Sequence, residues 1–275
     1  MIAMTGLDLE YTFCNTASSV NAALDILQNC SIVAFDCEGR KLGSVGGKLS
    51  LISLRPLHPS TNAQNFIFEV LGRKRKSLLG VYTILESEDI QKVVFDGRKD
   101  YSCLIHDRRI RLRNVLDLQL ADIKSRYIRG ERDAARLKRL EDCVERRELY
   151  KNLHLYTSVH KLSGLKGSAK EHIAYVPPRG PRFDHSHWTE RPLPAEYMAH
   201  AVEDVVLIHQ LYDHFQISGY LYPQLEHDSM RYVSIWKNRQ PVEGASTDHG
   251  ILPLGILDCV ATGGELDGDD EVQPV

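Results

Sequence analysis

The sequence predicts an α/β chain built on a mixed five-stranded sheet, a three-strand antiparallel meander followed by parallel strands, flanked by helices. Three observations predict it. Three short apolar runs follow one another at residues 31–36, 48–54 and 65–70, the first two separated by a glycine-rich turn. Helical and strand-like patterns then alternate through residues 75–129. A long apolar stripe at helical spacing follows Pro194. Successive strands followed by such alternation suit a sheet covered by helices.

Each element has its own justification. Residues 16–29 place Ala, Val, Leu and Ile at helical spacing behind Asn15-Thr16, a capping pair. Ser31-Ile-Val-Ala-Phe-Asp36 is a short apolar run ending in an acid, the pattern of a buried strand. Gly39 to Gly47 contains four glycines and reads as a hairpin turn into a second strand, Lys48–Leu54; Asn65–Val70 is a third. A helix is expected over 75–88, a fourth strand over Lys92–Phe95, and a helix opening from Lys99 to His106. Asn114–Asp117 suits a fifth strand and Leu118–Arg129 a helix. Residues 131–176 are highly charged and helical in propensity, until Pro177-Pro178 and Gly180-Pro181 break the pattern. Behind Pro194 a helix should run to about Gln216, packed through Ala195, Met198, Ala201, Val202, Val205, Ile208, Leu211 and Tyr212. Residues 220–236 suit another helix.

Composition narrows the class. The chain has 275 residues, 43% of them hydrophobic and 26% charged, which excludes collagen-like, disordered and small disulfide-framework proteins. No apolar run approaches the roughly 18–20 residues of a membrane helix, so no membrane partner is expected. The first residues lack the basic and apolar regions of a secretory signal. The six cysteines form no CxxC pair, which fits free thiols in a reducing compartment. The expected location is therefore intracellular, in cytoplasm or nucleus.

The net charge of −3 is a sum over unlike parts. Residues 240–275 hold eight acids and no Lys or Arg, leaving 34 basic against 29 acidic residues before them. Residues 98–151 alone hold 16 Lys or Arg against 10 Asp or Glu. A basic body with an acidic tail hints at a polyanionic partner, although a solvated helix face gives the same pattern. The expected organisation is one domain over 1–236, with its core at about 10–218, and an acidic disordered tail over 237–275.

Three elements carry chemistry. Asp36-Cys37-Glu38 ends the first strand, and the period of two sends both acids to one side while Cys37 points into the core. Val93-Val-Phe-Asp-Gly-Arg-Lys-Asp100 runs from a strand through a glycine turn into a helix with an early acid. Taken alone, Asp100 could simply offset a helix dipole. Trp188-Thr-Glu-Arg-Pro-Leu-Pro194 leads to His200-Ala-Val-Glu-Asp204, where His200 and Asp204 share a helix face.

In order and residue type these elements resemble the DEDD superfamily of 3′–5′ exonucleases, in its ribonuclease D and Werner-exonuclease branch. The resemblance spans about residues 10–218 and includes Lys48-Leu-Ser-Leu-Ile-Ser, Val115-Leu-Asp-Leu-Gln-Leu-Ala121 and the Arg-Pro-Leu-Pro approach to the last helix. Asp36 and Glu38 match the first motif, Asp100 the second and Asp204 the third. One position departs: the branch has Tyr four residues before its last Asp, and this chain has His200 there. Tyr197 lies about a turn earlier and could take that place only with a register shift.

The resemblance implies a ribonuclease H-like fold and hydrolysis of phosphodiester bonds at the 3′ end of single-stranded nucleic acid, RNA or DNA, with RNA slightly favoured. It implies two divalent ions, Mg²⁺ or Mn²⁺, about 3.5–4 Å apart and held by Asp36, Glu38, Asp100 and Asp204. Glu38 and Asp204 would hold the ion that carries the attacking water, and His200 would orient or deprotonate that water. An imidazole, ordinarily near 6.5, accepts a proton at neutral pH more readily than a phenol near 10.

Other features carry less. Arg108-Arg109-Ile-Arg111-Leu-Arg113 alternates in strand fashion and could line a nucleic-acid backbone or form a solvated loop. The familiar C-terminal helical nucleic-acid-binding domain of ribonuclease D is not recognisable after residue 218, so substrate capture would depend on basic segments, a protein partner or a homodimer. The competing reading is an inactive adaptor on the same fold that binds RNA or partners. Retention of all four acids favours the enzyme, and His200 pulls the other way.

Overall fold

The computed structural model describes residues 9–57, 64–177, 184–242 and 250–257. Strand β1 (Tyr11–Cys14) leads into helix α1 (Ala17–Leu27). There Thr16 accepts from the Ser19 N–H and the Ser19 hydroxyl accepts from the Thr16 N–H, each at 3.1 Å. β2 (Ile32–Arg40) and β3 (Lys48–Pro56) form an antiparallel hairpin, and β4 (Asn65–Glu69) runs antiparallel to β3. Helix α2 (Leu79–Glu86) crosses to β5 (Gln91–Val94), parallel to β2. Helix α3 (Arg98–Cys103), extended by a wider turn over Leu104–Arg108, crosses to β6 (Val115–Asp117), parallel to β5. Then come α4 (Leu118–Ile128), α5 (Asp133–Leu140), α6 (Arg146–Lys151), α7 (Leu165–Ile173), α8 (Ala195–Ile217) and α9 (Leu225–Val233).

The sheet order is β1-β4-β3-β2-β5-β6. This is the expected meander plus parallel strands, with a sixth strand added. β1 is four residues long, pairs parallel to β4 at the sheet edge and leaves Tyr11 exposed. So short and half-solvated a strand has no apolar run of its own; its pairing defines it.

Side chains alternate across the sheet as pleating requires. Val33, Phe35 and Cys37 of β2 join the core under α1 and α2, whereas Ala34 joins the core under α4, α8 and α9. The N-terminal half of α8 packs Met198, Ala201, Val202 and Val206 onto Leu51, Ile67 and Trp188. That long helix therefore lies across the face to which Asp36 and Glu38 belong.

The charged stretch 131–176, helical in propensity, forms three short α-helices and a 3₁₀ turn over Leu153–Tyr156. Much of its charge is paired internally: Arg139 meets both Glu131 and Glu171, and Arg129 also meets Glu171. The expected loose tail needs a correction over 250–257. Ile251 bridges antiparallel to Lys161, the Leu252 N–H donates to His160 O at 2.9 Å, and Leu252 and Ile256 are buried. These apolar residues are few and widely spaced, so only their burial against α4 and α8 reveals them. Residues 237–242 of the predicted tail are also described, and there the Val45 N–H donates to Pro241 O at 3.0 Å; its residues 243–249 and 258–275 lie outside the described residues, as do the breaks at 178–183. Among the described residues no helix is long and apolar enough to cross a membrane.

Candidate active site

The first acid pair sits at a bend. The β2–β3 register shifts between Glu38 and Gly39, a bulge that turns the strand just past its second acid. Gly39 permits it, because a Cβ there would stand 2.2 Å from the Lys48 carbonyl oxygen. At the hairpin tip, Gly43 lies against the start of α3: its φ is +69°, and Ser102 Oγ donates to its carbonyl at 2.6 Å.

Asp100 is aimed by a second clamp. Between β5 and α3 the chain turns through Asp96, whose φ is 58°. The buried Asp117 carboxylate accepts from the Asp96 and Gly97 N–H groups at 3.0 and 2.9 Å, and from Gln119 N–H at 2.9 Å. It thus holds the entry to α3 and caps α4 at once. Asp100 Oδ1 in turn accepts from the Cys37 N–H at 2.8 Å, while the Cys37 thiol is buried in the core as expected.

The third element comes from α8. His200 Nε2 lies 3.8 Å from Glu38 Oε1 and 3.8 Å from Asp204 Oδ2. Glu38, His200 and Asp204 offer ligand atoms within 4.8 Å of one another, a spacing that could hold a metal ion. The Trp188 ring, fully buried, stacks beside His200 at 6.1 Å between centroids. Tyr197 is directed elsewhere: its hydroxyl donates to Asp184 O at 2.6 Å and its ring packs edge-on against Trp188.

Electrostatics shows how closely the four acids gather. Burial first, then the charges of Asp100 and Asp204, push the Asp36 carboxyl well above its ordinary range. Burial and then Asp36, Asp204 and Asp100 do the same to Glu38, partly offset by Lys166. Burial raises Asp100 to about 7. It also raises Asp204, against the opposing pull of His200 and Lys166. Asp204 Oδ1 is buried with no hydrogen-bond partner. The structure thus brings Asp36, Glu38, Asp100, His200 and Asp204 together from β2, α3 and α8.

It adds residues that sequence reasoning missed. Lys166 of α7 places Nζ 2.5 Å from Glu203 Oε2 and 3.4 Å from His200 Nδ1. The Tyr175 hydroxyl donates to Glu203 Oε1. Burial would raise Glu203, but His200, Lys166 and Tyr175 hold it down at about 2. Glu203 adjoins Asp204 in sequence and was open to notice. Lys166 and Tyr175 lie in the featureless charged stretch and carry no local signal.

The four arginines considered for nucleic-acid contact lie apart from the acids. Because β6 runs parallel to β5, the chain must enter β6 at the end opposite to the one where β5 exits toward Asp100. Arg108 to Arg113 lead to that entry. Arg113 pairs with Glu88, the Arg111 N–H donates to Glu86 Oε1 at 3.0 Å, Arg108 Nη2 donates to Val70 O at 3.3 Å, and Arg109 occupies a left-handed turn.

Comparison with known proteins bears on the family and the fold. The 3′–5′ exonuclease family model matches residues 11–218. Over 116 residues the chain is 28% identical to the piRNA biogenesis protein EXD1 of Bombyx mori, covering 42% of this chain and only 35% of that relative's length. The crystal structure of Trypanosoma brucei RNase D superposes with a TM-score of 0.64 at 20% identity, covering 86% of this chain and 75% of that one. The same trypanosomal protein in complex with RNA U12 gives 0.61 at 20% identity, covering 85% and 73%.

Proposed function

The chain belongs to the 3′–5′ exonuclease family, and from that premise we propose that it hydrolyses the terminal phosphodiester bond at the 3′ end of single-stranded RNA with two divalent metal ions, Mg²⁺ or Mn²⁺. One observation carries this reading: four buried carboxylates from β2, α3 and α8 converge, close enough that Asp36 and Glu38 are each pushed upward by burial and then by the charges of the other acids of the set. The donor set suits hard cations, which prefer carboxylate oxygen. The buried, unpartnered Asp204 Oδ1 is an atom such an ion would satisfy. Asp36, Glu38, Asp100 and Asp204 would hold the ions. Bound there, they supply Lewis-acid stabilisation of phosphoryl oxygens and a water of lowered pKa.

The chain's own residues do the rest. The Cys37 N–H and the Asp117 clamp keep Asp100 turned into the cleft. Trp188 walls one side of His200 and fixes the ring where it can contact a water or a phosphate oxygen beside Glu38 and Asp204. RNA is favoured because RNase D, bound to RNA in one of the similar structures, shares the fold.

The test is digestion of 3′- and 5′-end-labelled single-stranded RNA and DNA with Mg²⁺, Mn²⁺ or EDTA. We expect stepwise shortening from the 3′ end of RNA with metal and none with EDTA, and a loss of at least about a thousandfold in Asp36→Asn. Absence of shortening in either metal overturns the reading. The competing adaptor reading draws on His200, which stands where the resemblance to the ribonuclease D branch leads one to expect Tyr; retained RNA binding without cleavage would support it.

A further inference from the structure

His200 sits among groups from four segments: Glu38 of β2, Lys166 of α7, Glu203 and Asp204 of α8, and the rings of His185 and Trp188 from the turn before α8. What these neighbours can donate and accept decides which nitrogen carries the ring's proton. We propose that Lys166 is a positioning residue for His200: by donating to Nδ1 it holds the imidazole as the Nε2–H tautomer, so that the ring presents a hydrogen-bond donor, rather than a base or a metal ligand, between Glu38 and Asp204.

The argument is one of donor and acceptor inventory. An ammonium group has three protons and no lone pair, so whatever it faces at hydrogen-bond range must accept. Lys166 Nζ faces His200 Nδ1 at 3.4 Å. The ammonium is itself anchored: Glu203 Oε2 is 2.5 Å away, and Glu203 is held from its other oxygen by the Tyr175 hydroxyl. An N–H at Nδ1 would point toward that ammonium, which stands 0.5 Å nearer than Glu203 Oε2, the acceptor on the same side at 3.9 Å. Nδ1 is therefore the lone-pair nitrogen.

The other side of the ring agrees. Nε2 looks onto two carboxylates, Glu38 and Asp204, each 3.8 Å away, and carboxylate oxygens accept. Neither is in direct hydrogen-bond contact, but a proton at Nε2 points toward two acids, the side on which positive charge is favoured. Were Nε2 to ligate a metal, the ring proton would have to move to Nδ1, against the ammonium. The spacing of Glu38, His200 and Asp204 would admit an ion, but Lys166 reserves its coordination for the carboxylates. On the exonuclease reading, the Nε2–H is then aimed at the oxygen that enters between Glu38 and Asp204, a water or a phosphate oxygen, where a fixed donor stabilises developing negative charge.

The assignment is read directly by long-range ¹⁵N–¹H correlation spectra of the metal-free full chain with ¹⁵N-labelled histidine, at about pH 8 where an ordinary imidazole is neutral. His200→Gln identifies the His200 signals by their loss. The expected wild-type pattern is Nε2–H; Lys166→Met should lose that preference, and Lys166→Arg, another pure donor, should restore it. In parallel, Lys166→Met should lower kcat by about 10–100-fold with KM little changed, and Lys166→Arg should recover most of it. A wild-type Nδ1–H pattern, or a tautomer indifferent to Lys166→Met, overturns the proposal. A wild type inactive on RNA and DNA overturns the exonuclease reading instead, and the tautomer then decides the ring assignment by itself.

Discussion

The backbone N–H of Cys37 donates a 2.8 Å hydrogen bond to Asp100 Oδ1, across 63 residues of sequence. The bond leaves β2 at the one residue between Asp36 and Glu38, so the first acid pair and the second-motif acid are set in register with each other. The same contact separates two roles of Asp100, hydrogen-bond acceptor and charge.

Asp100→Asn keeps the acceptor and removes the charge, whereas Asp100→Ala removes both. In EDTA, Asp100→Asn should be at least as stable as wild type. Asp100→Ala should lose about 1–3 kcal/mol, because the Cys37 N–H is left unsatisfied. Saturating Mn²⁺ should raise the wild-type melting temperature by several degrees, and neither variant should follow it fully. Thermal melts with and without metal make the comparison.

The metal-free chain should gain stability on mild acidification. Burial raises Asp100 and Asp117 to about 7, and Asp36 and Glu38 are also shifted upward. A carboxyl raised on folding binds more protons in the native state, so its stabilisation is complete below about pH 4 and is lost as pH rises through its folded value. His160 has the opposite sign: burial, then Arg136 and Arg126, pull it down to about 4. Its contribution falls as pH drops from about 6.5 to about 4. Asp204 is raised as well, and burial lowers His185, His209 and His214 alongside His160. Because the carboxyl shifts, to about 7 for Asp100 and Asp117, are the larger, urea midpoints in EDTA should be higher at about pH 5.5 than at about pH 8. A midpoint that rises with pH would contradict this balance, and His160→Gln should steepen the gain on acidification.

Tyr197 should not substitute for His200. Its hydroxyl is committed to Asp184 O and its ring to Trp188, so Tyr197→Phe should change kcat by less than about twofold while costing about 1 kcal/mol of stability. A large loss of kcat at unchanged stability would place its hydroxyl in the chemistry.

Two glycines should respond oppositely to alanine. A Cβ on Gly39 meets the Lys48 carbonyl, and Gly39→Ala should cost about 2 kcal/mol or more by straightening the bulge behind Glu38. Gly167 lies inside α7 with open space around it, and Gly167→Ala should stabilise by about 0.5–1 kcal/mol. Chemical denaturation of both variants decides.

Leu252→Ala tests the packed segment after residue 249. Leu252 is 5% exposed within the core under α8, and truncating it should cost about 2–4 kcal/mol. A cost near zero would mean that this segment only rests on the surface.

Much of the site was legible in the sequence because its rules are local. Strand periodicity put Asp36 and Glu38 on one face and Cys37 on the other. Helical spacing placed His200 and Asp204 together, and the strand–glycine–helix pattern marked Asp100 as an acid at a chain turn. The succession of strands and helices was equally local, which is why the meander and the parallel strands stand where they were expected.

Tertiary structure decided the rest. β1 exists because β4 offers it an edge, and residues 250–257 pack because an apolar groove receives them. Arg108 to Arg113 fall at the far end of the sheet because parallel strands must be entered from opposite their exits. Lys166 reaches His200 only because α7 folds back onto α8. None of these depends on the spacing of neighbouring residues. Each is a contact between distant segments, whose free energy comes from burial and charge pairing that no short stretch of chain contains.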